Sequence, residues 1–168
     1  MNLYLMRHGI AATVEQSGID SDNERPLTPK GIKRMRRAAE GLRRLKLPVD
    51  AVVTSPLLRA RQTAEIVAEA FGLEGRLEEI PELAPQHSVD RLISAVTRFS
   101  DKKHLLLVGH NPLLSQAFSF LIAGNEIALT IELKKGGLCR IEIDSLPPPS
   151  PATLHWVLTP KQLRLLGD

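Results

Sequence analysis

Residues 3–11 read LYLMRHGIA, and this short stretch predicts both the fold class and the position of a site. Leu3 to Met6 are apolar without polar alternation, which is typical of a parallel strand covered on both faces. Arg7 and His8 stand where that strand ends, directly before Gly9. In open parallel sheets, sites form beyond the carboxyl ends of the strands, so we expect these two side chains to line one.

Length and composition indicate one ordinary globular domain. The chain has 168 residues, and we expect a single domain over residues 1–168 with its own core. Cys139 is the only cysteine, so no internal disulfide can form. With no secretory segment after Met1, this predicts a reducing, cytoplasmic location. The apolar runs are too short to span a bilayer, and we expect no membrane association.

The formal net charge of +3 permits an anionic partner without identifying one. Much of the excess lies in residues 30–46, KGIKRMRRAAEGLRRLK. Apolar residues recur there at helical spacing, which turns Lys33, Arg37 and Arg44 away from the core. We favour a solvated helix face, and a docking surface for an acidic partner is the alternative.

Strand and helix signals alternate along most of the chain. Strands are predicted over 3–6, 50–55, 76–83 and 104–109, and helices over 29–47, 56–71, 88–99 and 112–123. Thr28 and Pro29 mark the start of the first helix and Pro48 its end, while Gly72 ends the second.

The last forty residues change character. The segments IALTIEL, GLCRIEI and TLHWVL (127–133, 137–143 and 153–158) predict strands, and residues 146–151, LPPPSP, predict a stiff loop between two of them. The whole pattern predicts an α/β fold. We expect a three-layer α/β/α sandwich, with an open, mostly parallel sheet and antiparallel strands added at the carboxyl terminus.

Three of the predicted strands end on polar residues. Arg7 and His8 lie at the end of the first strand, and His110 follows the fourth. Ser55 lies at the end of the second strand, and Arg59 comes one turn into the helix that follows it. A lone histidine at a strand end is more often a packing residue than a catalyst. Together, however, these side chains suit phosphate chemistry, because one arginine can bind two phosphate oxygens at once and a neutral imidazole is a nucleophile.

The motifs LMRHG, RPLTPKG, SPLLRARQTA and VGHNP occur in that order between residues 5 and 112. They resemble the histidine phosphatase superfamily, also called the phosphoglycerate mutase-like proteins. The short chain and PELAP at 81–85 are most similar to its SixA-type phosphohistidine phosphatases. The resemblance implies a phosphoglycerate mutase-like fold and a phosphatase activity.

The resemblance also implies roles for particular residues. His8 matches the nucleophile that is phosphorylated, Arg7 and Arg59 match the phosphate-binding arginines, and His110 matches the second pocket histidine. We expect a protonated His110 and the two arginines to stabilise the transferred phosphoryl group in place of a metal ion. No spacing of carboxylates and histidines suggests a metal site, so we expect no metal and no cofactor. A further set matches a motif that we assign mainly to structure: Arg25, Leu27 and Thr28.

The chain lacks the general-acid glutamate that is usual in the wider family. Relatives acting on phosphate esters usually supply a glutamate just after the third strand, where this chain has Pro85. Glu82 is the nearest candidate for a general acid, and a solvated loop carboxylate is the alternative. An alkoxide leaving group needs a proton, whereas the imidazole of phosphohistidine needs far less help. The missing acid therefore favours a nitrogen–phosphorus substrate.

The expected partner is a phosphorylated protein carrying phosphohistidine. The first alternative is a small phosphate ester, which would make the protein a small-molecule phosphomonoesterase. A more distant alternative is a non-catalytic module that binds phosphate or nucleic acid through the basic helix. With 4% aromatic residues and no aromatic-rich basic strand, the sequence argues against nucleic acid.

Overall fold

A computed structural model describes residues 1–167 of the chain. The elements follow one another as β1 (Asn2–Arg7), α1 (Val14–Ser17), α2 (Pro29–Arg44), β2 (Ala51–Thr54), α3 (Leu58–Phe71), β3 (Leu77–Glu79), α4 (Val89–Val96), β4 (His104–Gly109), α5 (Leu113–Ala123), β5 (Leu138–Glu142), β6 (Thr153–Leu158) and α6 (Pro160–Leu166). Short 3-10 helices lie over Asp22–Glu24, Glu74–Arg76, Pro81–Leu83 and Thr97–Phe99. Within residues 1–167, no helix combines the length and apolarity needed to cross a membrane.

The strands form one six-stranded sheet in the order β3-β2-β4-β1-β5-β6. The first four of these are mutually parallel, and β5 runs antiparallel to both β1 and β6. The predicted mostly parallel sheet with antiparallel strands at the carboxyl-terminal side is therefore confirmed.

The apolar run of β1 is explained by helices on both faces of the sheet. Leu3 and Leu5 pack in the core formed with α4 and α5, whereas Tyr4 and Met6 pack in the core formed with α2, α3 and α6. Since successive side chains of a strand point to opposite faces, a strand covered on both sides has no polar position. The sheet is the middle of three layers, as expected.

The residues predicted to begin α2 and to end α3 do so in the structure. The hydroxyl of Thr28 accepts the N–H of Gly31 at 2.9 Å, which caps α2, and Pro29 is its first residue. The chain leaves α2 earlier than expected, after Arg44, because Lys46 adopts a left-handed φ of 52° before Pro48. Gly72, with a φ of 65°, ends α3 as predicted.

The carboxyl-terminal third contains the largest differences from expectation. Residues 127–133 were expected to form a strand but have no regular structure, and β5 pairs with β1 and β6 instead of with this segment. This segment instead crosses the carboxyl end of the sheet and buries Leu133. Helix α6 was not predicted, and it packs against α2. The polar segment between β1 and α2, for which no element was predicted, contains α1 and a 3-10 turn.

Candidate active site

The ends of β1, β2 and β4 meet at one edge of the sheet. In the parallel ladder Arg7 lies opposite Gly109, and the N–H of His8 donates to the carbonyl of Gly109 at 3.0 Å. The N–H of Ser55 donates to the carbonyl of Val108, also at 3.0 Å. The imidazole rings of His8 and His110 therefore lie close together, with centroids 4.9 Å apart.

His8 is buried, with 6% of its surface exposed, and one hydrogen bond fixes its tautomer. Its Nδ1 lies 2.7 Å from the carbonyl oxygen of Gly9. A carbonyl only accepts, so Nδ1 carries the proton and Nε2 carries the lone pair. Burial, aided by the neighbouring His110, lowers the pKa of His8 to about 3. The free site therefore presents a neutral imidazole suited to nucleophilic attack. The Gly9 carbonyl holds the proton on Nδ1 and so leaves Nε2 free to attack.

The backbone around Gly9 is held tightly. The hydroxyl of Thr63 accepts the N–H of Gly9 at 3.0 Å and donates to the carbonyl of Arg59 at 2.7 Å. A side chain at position 9 would place its Cβ 2.7 Å from Cγ of Met35, closer than real contacts allow. Glycine at this position lets the chain after His8 run directly over α2.

Arg59 lies almost completely buried in the first turn of α3, with 4% of its surface exposed. Its Nη1 donates to the backbone carbonyl of Asp22 at 2.6 Å, and its Nη2 donates to Oδ2 of the same residue at 2.9 Å. Its Nε is buried without a hydrogen-bond partner in residues 1–167. Burial lowers the pKa of Arg59, although the Asp22 carboxylate opposes that shift. The Nε–H is therefore a free donor for an anion.

Arg7 approaches from the other side, at the end of β1. Its Nη1 donates to the carbonyl of Leu133 at 3.1 Å, so the irregular segment 127–133 holds this side chain. The N–H of Gly136 donates to the carbonyls of Arg7 and His8, at 2.9 and 3.0 Å. Burial lowers the pKa of Arg7, and its Nε has no partner among the described residues. Both arginines thus keep an unused, buried Nε–H.

His110 differs from the expectation in its charge. Burial, with the nearby Arg59 as the next cause, lowers its pKa to about 3. His110 is therefore neutral in the free site at neutral pH, and the expected protonated form is not present there. Its Nε2 lies 2.9 Å from the hydroxyl of Ser55, while Nδ1 is buried without a partner in residues 1–167. If Ser55 donates to Nε2, Nδ1 carries a proton toward a bound ligand.

Sequence reasoning missed Asp22, which lies in a 3-10 turn of the polar loop after β1. Its carboxylate accepts from Arg25 Nε at 2.8 Å as well as from Arg59. Burial opposes the charge of Asp22, but the hydrogen bonds from Arg25 and Arg59 outweigh that effect and lower its pKa. Nothing in the polar sequence around this aspartate distinguishes it from a solvated loop residue, so no local signal identified it.

The RPLTPKG motif has the mainly structural role expected of it. Leu27 is buried in the core beneath the site, and Arg25 donates to the carbonyl of Ala12 at 2.8 Å. Glu82 is half-buried in the 3-10 turn after β3. It forms no hydrogen bond or ion pair within residues 1–167. The neighbouring Leu83 packs close to Gly109, so this turn borders the end of β4.

The site has positive groups and imidazoles but no set of carboxylates around a cavity. Across the described residues, no cluster of three or more histidine, cysteine, aspartate or glutamate side chains is arranged to hold a metal ion. The groups that can attract an anion are the two guanidiniums and the Nδ1 edge of His110. This arrangement can bind a phosphoryl group and attack it with His8.

Comparison with known proteins supports this chemistry. Residues 3–87 match the family model of the histidine phosphatase superfamily, branch 1. An uncharacterised protein of Picosynechococcus is 40% identical over 141 residues, which are 82% of each chain. The phosphohistidine phosphatase SixA of Escherichia coli is 29% identical over 168 residues, with 98% of each chain covered.

A solved structure of the protein histidine phosphatase SixA complexed with tungstate is also similar. It superimposes with a TM-score of 0.84 at 28% identity and covers 97% of this chain and 99% of its own. The phosphoglycerate mutase-like fold expected from the motifs is thereby confirmed. The chain belongs to branch 1 of the histidine phosphatase superfamily, and it is a phosphatase.

Proposed function

We propose that this phosphatase works through a phosphohistidine intermediate on His8 and that its substrate is phosphohistidine on another protein. The observation that carries the proposal is the 2.7 Å hydrogen bond from His8 Nδ1 to the Gly9 carbonyl. It leaves Nε2 unprotonated in a site with two arginines, where an attacking nitrogen is needed.

The reaction has two steps. In the first, the substrate's phosphoimidazole takes a proton from water on its other ring nitrogen. The lone pair of His8 Nε2 then forms a bond to phosphorus while the bond from phosphorus to the substrate's nitrogen breaks, and a neutral imidazole leaves. In the second, water attacks the phosphorus of phosphorylated His8. The bond to Nε2 breaks, and inorganic phosphate leaves with neutral His8 restored.

The charged groups around His8 suit this transfer. Negative charge spreads over the phosphoryl oxygens in the transition state, and preorganised donors stabilise it there. Arg7 and Arg59 each offer a buried Nε–H without another partner in the described chain. His110 offers Nδ1–H as a neutral donor when Ser55 Oγ donates to its Nε2, and a bound phosphate dianion raises the pKa of this imidazole again. We propose on this basis that the enzyme needs no metal ion.

The substrate class follows from the leaving group. Pro85 stands where ester-cleaving relatives place a glutamate, so a strong proton donor is lacking at that position. An alkoxide has a conjugate acid with a pKa close to that of water, about 15.7. A phosphohistidine that is protonated on its other ring nitrogen instead releases a neutral imidazole, whose conjugate acid has a pKa of about 6.5. Similarity to the E. coli phosphohistidine phosphatase SixA over 98% of both chains favours the same class.

A small phosphate ester is the second candidate substrate. One observation favours it: Glu82 is half-buried beside the end of β4 and has no partner within residues 1–167, so a carboxyl group is available near the site. If Glu82 donates a proton to an ester oxygen, the enzyme hydrolyses small phosphomonoesters.

A substrate screen at equal concentrations tests the proposal. Phosphohistidine peptides and proteins are compared with alkyl, aryl, sugar and nucleotide phosphates, and phosphate release is measured as kcat/KM. We expect phosphohistidine to be the preferred class. A strong preference for a sugar or nucleotide phosphate would replace this proposal with the second candidate. Absence of 32P transfer to the protein from any substrate that it hydrolyses would overturn the intermediate on His8.

A further inference from the structure

We propose that a group of exposed and half-buried cations beside the site is a docking surface for the acidic face of the phosphoprotein substrate. This inference rests on the proposed function, because it names what that substrate presents next to its phosphoryl group. We call the surface the basic face, and it consists of Lys30, Lys33, Arg34, Arg36, Lys135 and Arg164.

The basic face begins at the loop that holds His8. Arg34, Lys135 and Arg164 line one small pocket together with Gly9 and Ile10, the two residues after the nucleophile. Lys135 is also two residues beyond Leu133, whose carbonyl accepts a hydrogen bond from Arg7 in the site. These cations therefore lie next to the loop that carries the nucleophile.

The positive charge of the basic face is not balanced by the protein. None of its six side chains forms an ion pair or hydrogen bond within residues 1–167. Glu40 is the only acidic residue of α2, and it is already bound to Arg43 and Arg44. Burial and the neighbouring cations Arg34 and Arg37 lower the pKa of Arg164, as expected where like charges are crowded.

This arrangement does not help the fold. Lys30 and Lys33 lie in the first turns of α2, where cations oppose the helix dipole. Lys33 and Arg36 are neighbours on the same helix surface, and like charges at that spacing destabilise a helix. Since neither packing nor helix stability requires these cations, their concentration beside the catalytic loop is explained by an external anion.

The shape of the surface fits acidic side chains of a folded partner. Lys33 and Arg36 border a shallow groove of about 600 Å³ whose floor includes Pro29 and Ile32. Complementary charge across such a surface steers association and fixes orientation. Because α2 carries the cations of both the groove and the pocket with Arg34, and that pocket borders the loop after His8, the partner that best fits is the phosphoprotein itself.

Two phosphohistidine peptides of equal length test the proposal, one with glutamates and one with lysines on both sides of the phosphorylated histidine. We expect wild-type kcat/KM to be about tenfold higher for the glutamate peptide at low salt, with the preference shrinking at 0.5 M NaCl. Lys33→Glu/Arg36→Glu should remove or invert that preference. Its kcat/KM for the free amino acid phosphohistidine should stay within about twofold of wild type, because neither residue contacts the phosphoryl group.

The variants are designed to fold. Lys33 and Arg36 are exposed and have no partner within residues 1–167, so Lys33→Glu/Arg36→Glu should unfold in urea close to the wild-type midpoint. The matched control, Arg76→Glu/Lys103→Glu, makes the same charge change at the opposite, amino-terminal end of the sheet. The control should keep the wild-type preference.

Equal rates on the two peptides in wild type, or an equal loss in the control variant, would overturn the docking surface. Binding of the unphosphorylated glutamate peptide by fluorescence anisotropy separates this proposal from the proposed function. Salt-sensitive binding that Lys33→Glu/Arg36→Glu weakens supports the surface even if phosphohistidine is not cleaved. Tighter binding of single-stranded DNA or of phosphatidylglycerol vesicles than of the glutamate peptide would show that the basic face serves a different partner.

Discussion

Asp22 holds Arg59 by both of its terminal nitrogens, Nη1 on the backbone carbonyl and Nη2 on the carboxylate, at 2.6 and 2.9 Å. The guanidinium is thereby anchored along the edge that carries Nη1 and Nη2, while Nε stays without a partner in the described chain. A phosphate that binds Arg59 through Nε meets a side chain whose orientation is already set. The same carboxylate places a negative charge beside the phosphate site.

We predict that Asp22→Ala lowers kcat about tenfold while it strengthens inhibition by inorganic phosphate. The loss in kcat follows because Arg59 is no longer held in one orientation, and the stronger inhibition follows because a negative charge beside the anion is gone. Steady-state kinetics with added phosphate measure both effects. Asp22→Asn should keep more of kcat than Asp22→Ala. The control is Asp20→Ala in the same loop, whose side chain has no partner within residues 1–167 and should behave as wild type.

We predict that His8→Ala abolishes turnover and that Arg59→Ala reduces kcat/KM by about a hundredfold or more with the fold intact. In the proposed mechanism His8 supplies the attacking nitrogen, and Arg59 supplies positive charge that stabilises the transition state. Phosphate release and circular dichroism are the measurements. Wild-type activity in His8→Ala would refute the intermediate.

The buried imidazoles predict how stability depends on pH. The pKa values of His8 and His110 are lowered to about 3, whereas histidines in an unfolded chain titrate at about 6.5. Between these values the unfolded state binds protons that the native state excludes. The free energy of unfolding therefore falls as pH decreases from about 6.5, by at most about 1.4 kcal/mol per pH unit for each histidine. Urea unfolding of wild type and His110→Gln between pH 7.5 and 5 should show a shallower decline in the variant. Parallel curves would contradict the neutral, buried state of His110.

Glu82→Gln distinguishes the two substrate classes. If Glu82 is a solvated carboxylate, kcat/KM should change little on an alkyl phosphate, an aryl phosphate and a phosphohistidine protein, and rates on the esters should fall steeply as the leaving group's pKa rises. If it is the general acid, the alkyl ester alone should slow strongly. Efficient alkyl-ester hydrolysis that Glu82→Gln leaves unchanged would reveal another acid and would remove the chemical support for a phosphohistidine substrate.

Chelation tests the proposal that guanidinium groups supply the positive charge. Activity measured after dialysis against EDTA should equal that of the untreated enzyme. Loss of activity that a divalent ion restores would mean that a metal participates in catalysis.

The sequence predicted the parts of this protein that depend on local patterns. The apolar runs of β1 and β4 ended on Arg7, His8 and His110, and parallel pairing brought those ends together as the general geometry of open sheets requires. The caps at Thr28 and Gly72 were likewise local signals.

What the sequence did not predict depends on contacts between distant segments. Residues 127–133 have the composition of a strand, but in the assembled fold they lead across the site, where the carbonyl of Leu133 accepts from Arg7, and they pair with no strand within residues 1–167. Asp22 meets Arg59 across 37 positions of sequence, and nothing in its own loop indicates that partner. The neutral state of His110 arises from its burial and from neighbouring arginines, which are properties of the assembled site.

The hydroxyl of Thr63 joins the backbone of Gly9 to the backbone of Arg59, so the nucleophile's loop and one phosphate-binding helix form a single rigid body. Neither can adjust to a substrate without carrying the other along. Asp22 binds the guanidinium of Arg59, so its turn is tied to the same body. The half of the pocket that contains His8 and Arg59 is therefore set before any substrate arrives, and a substrate of a different shape must be accommodated elsewhere around the site.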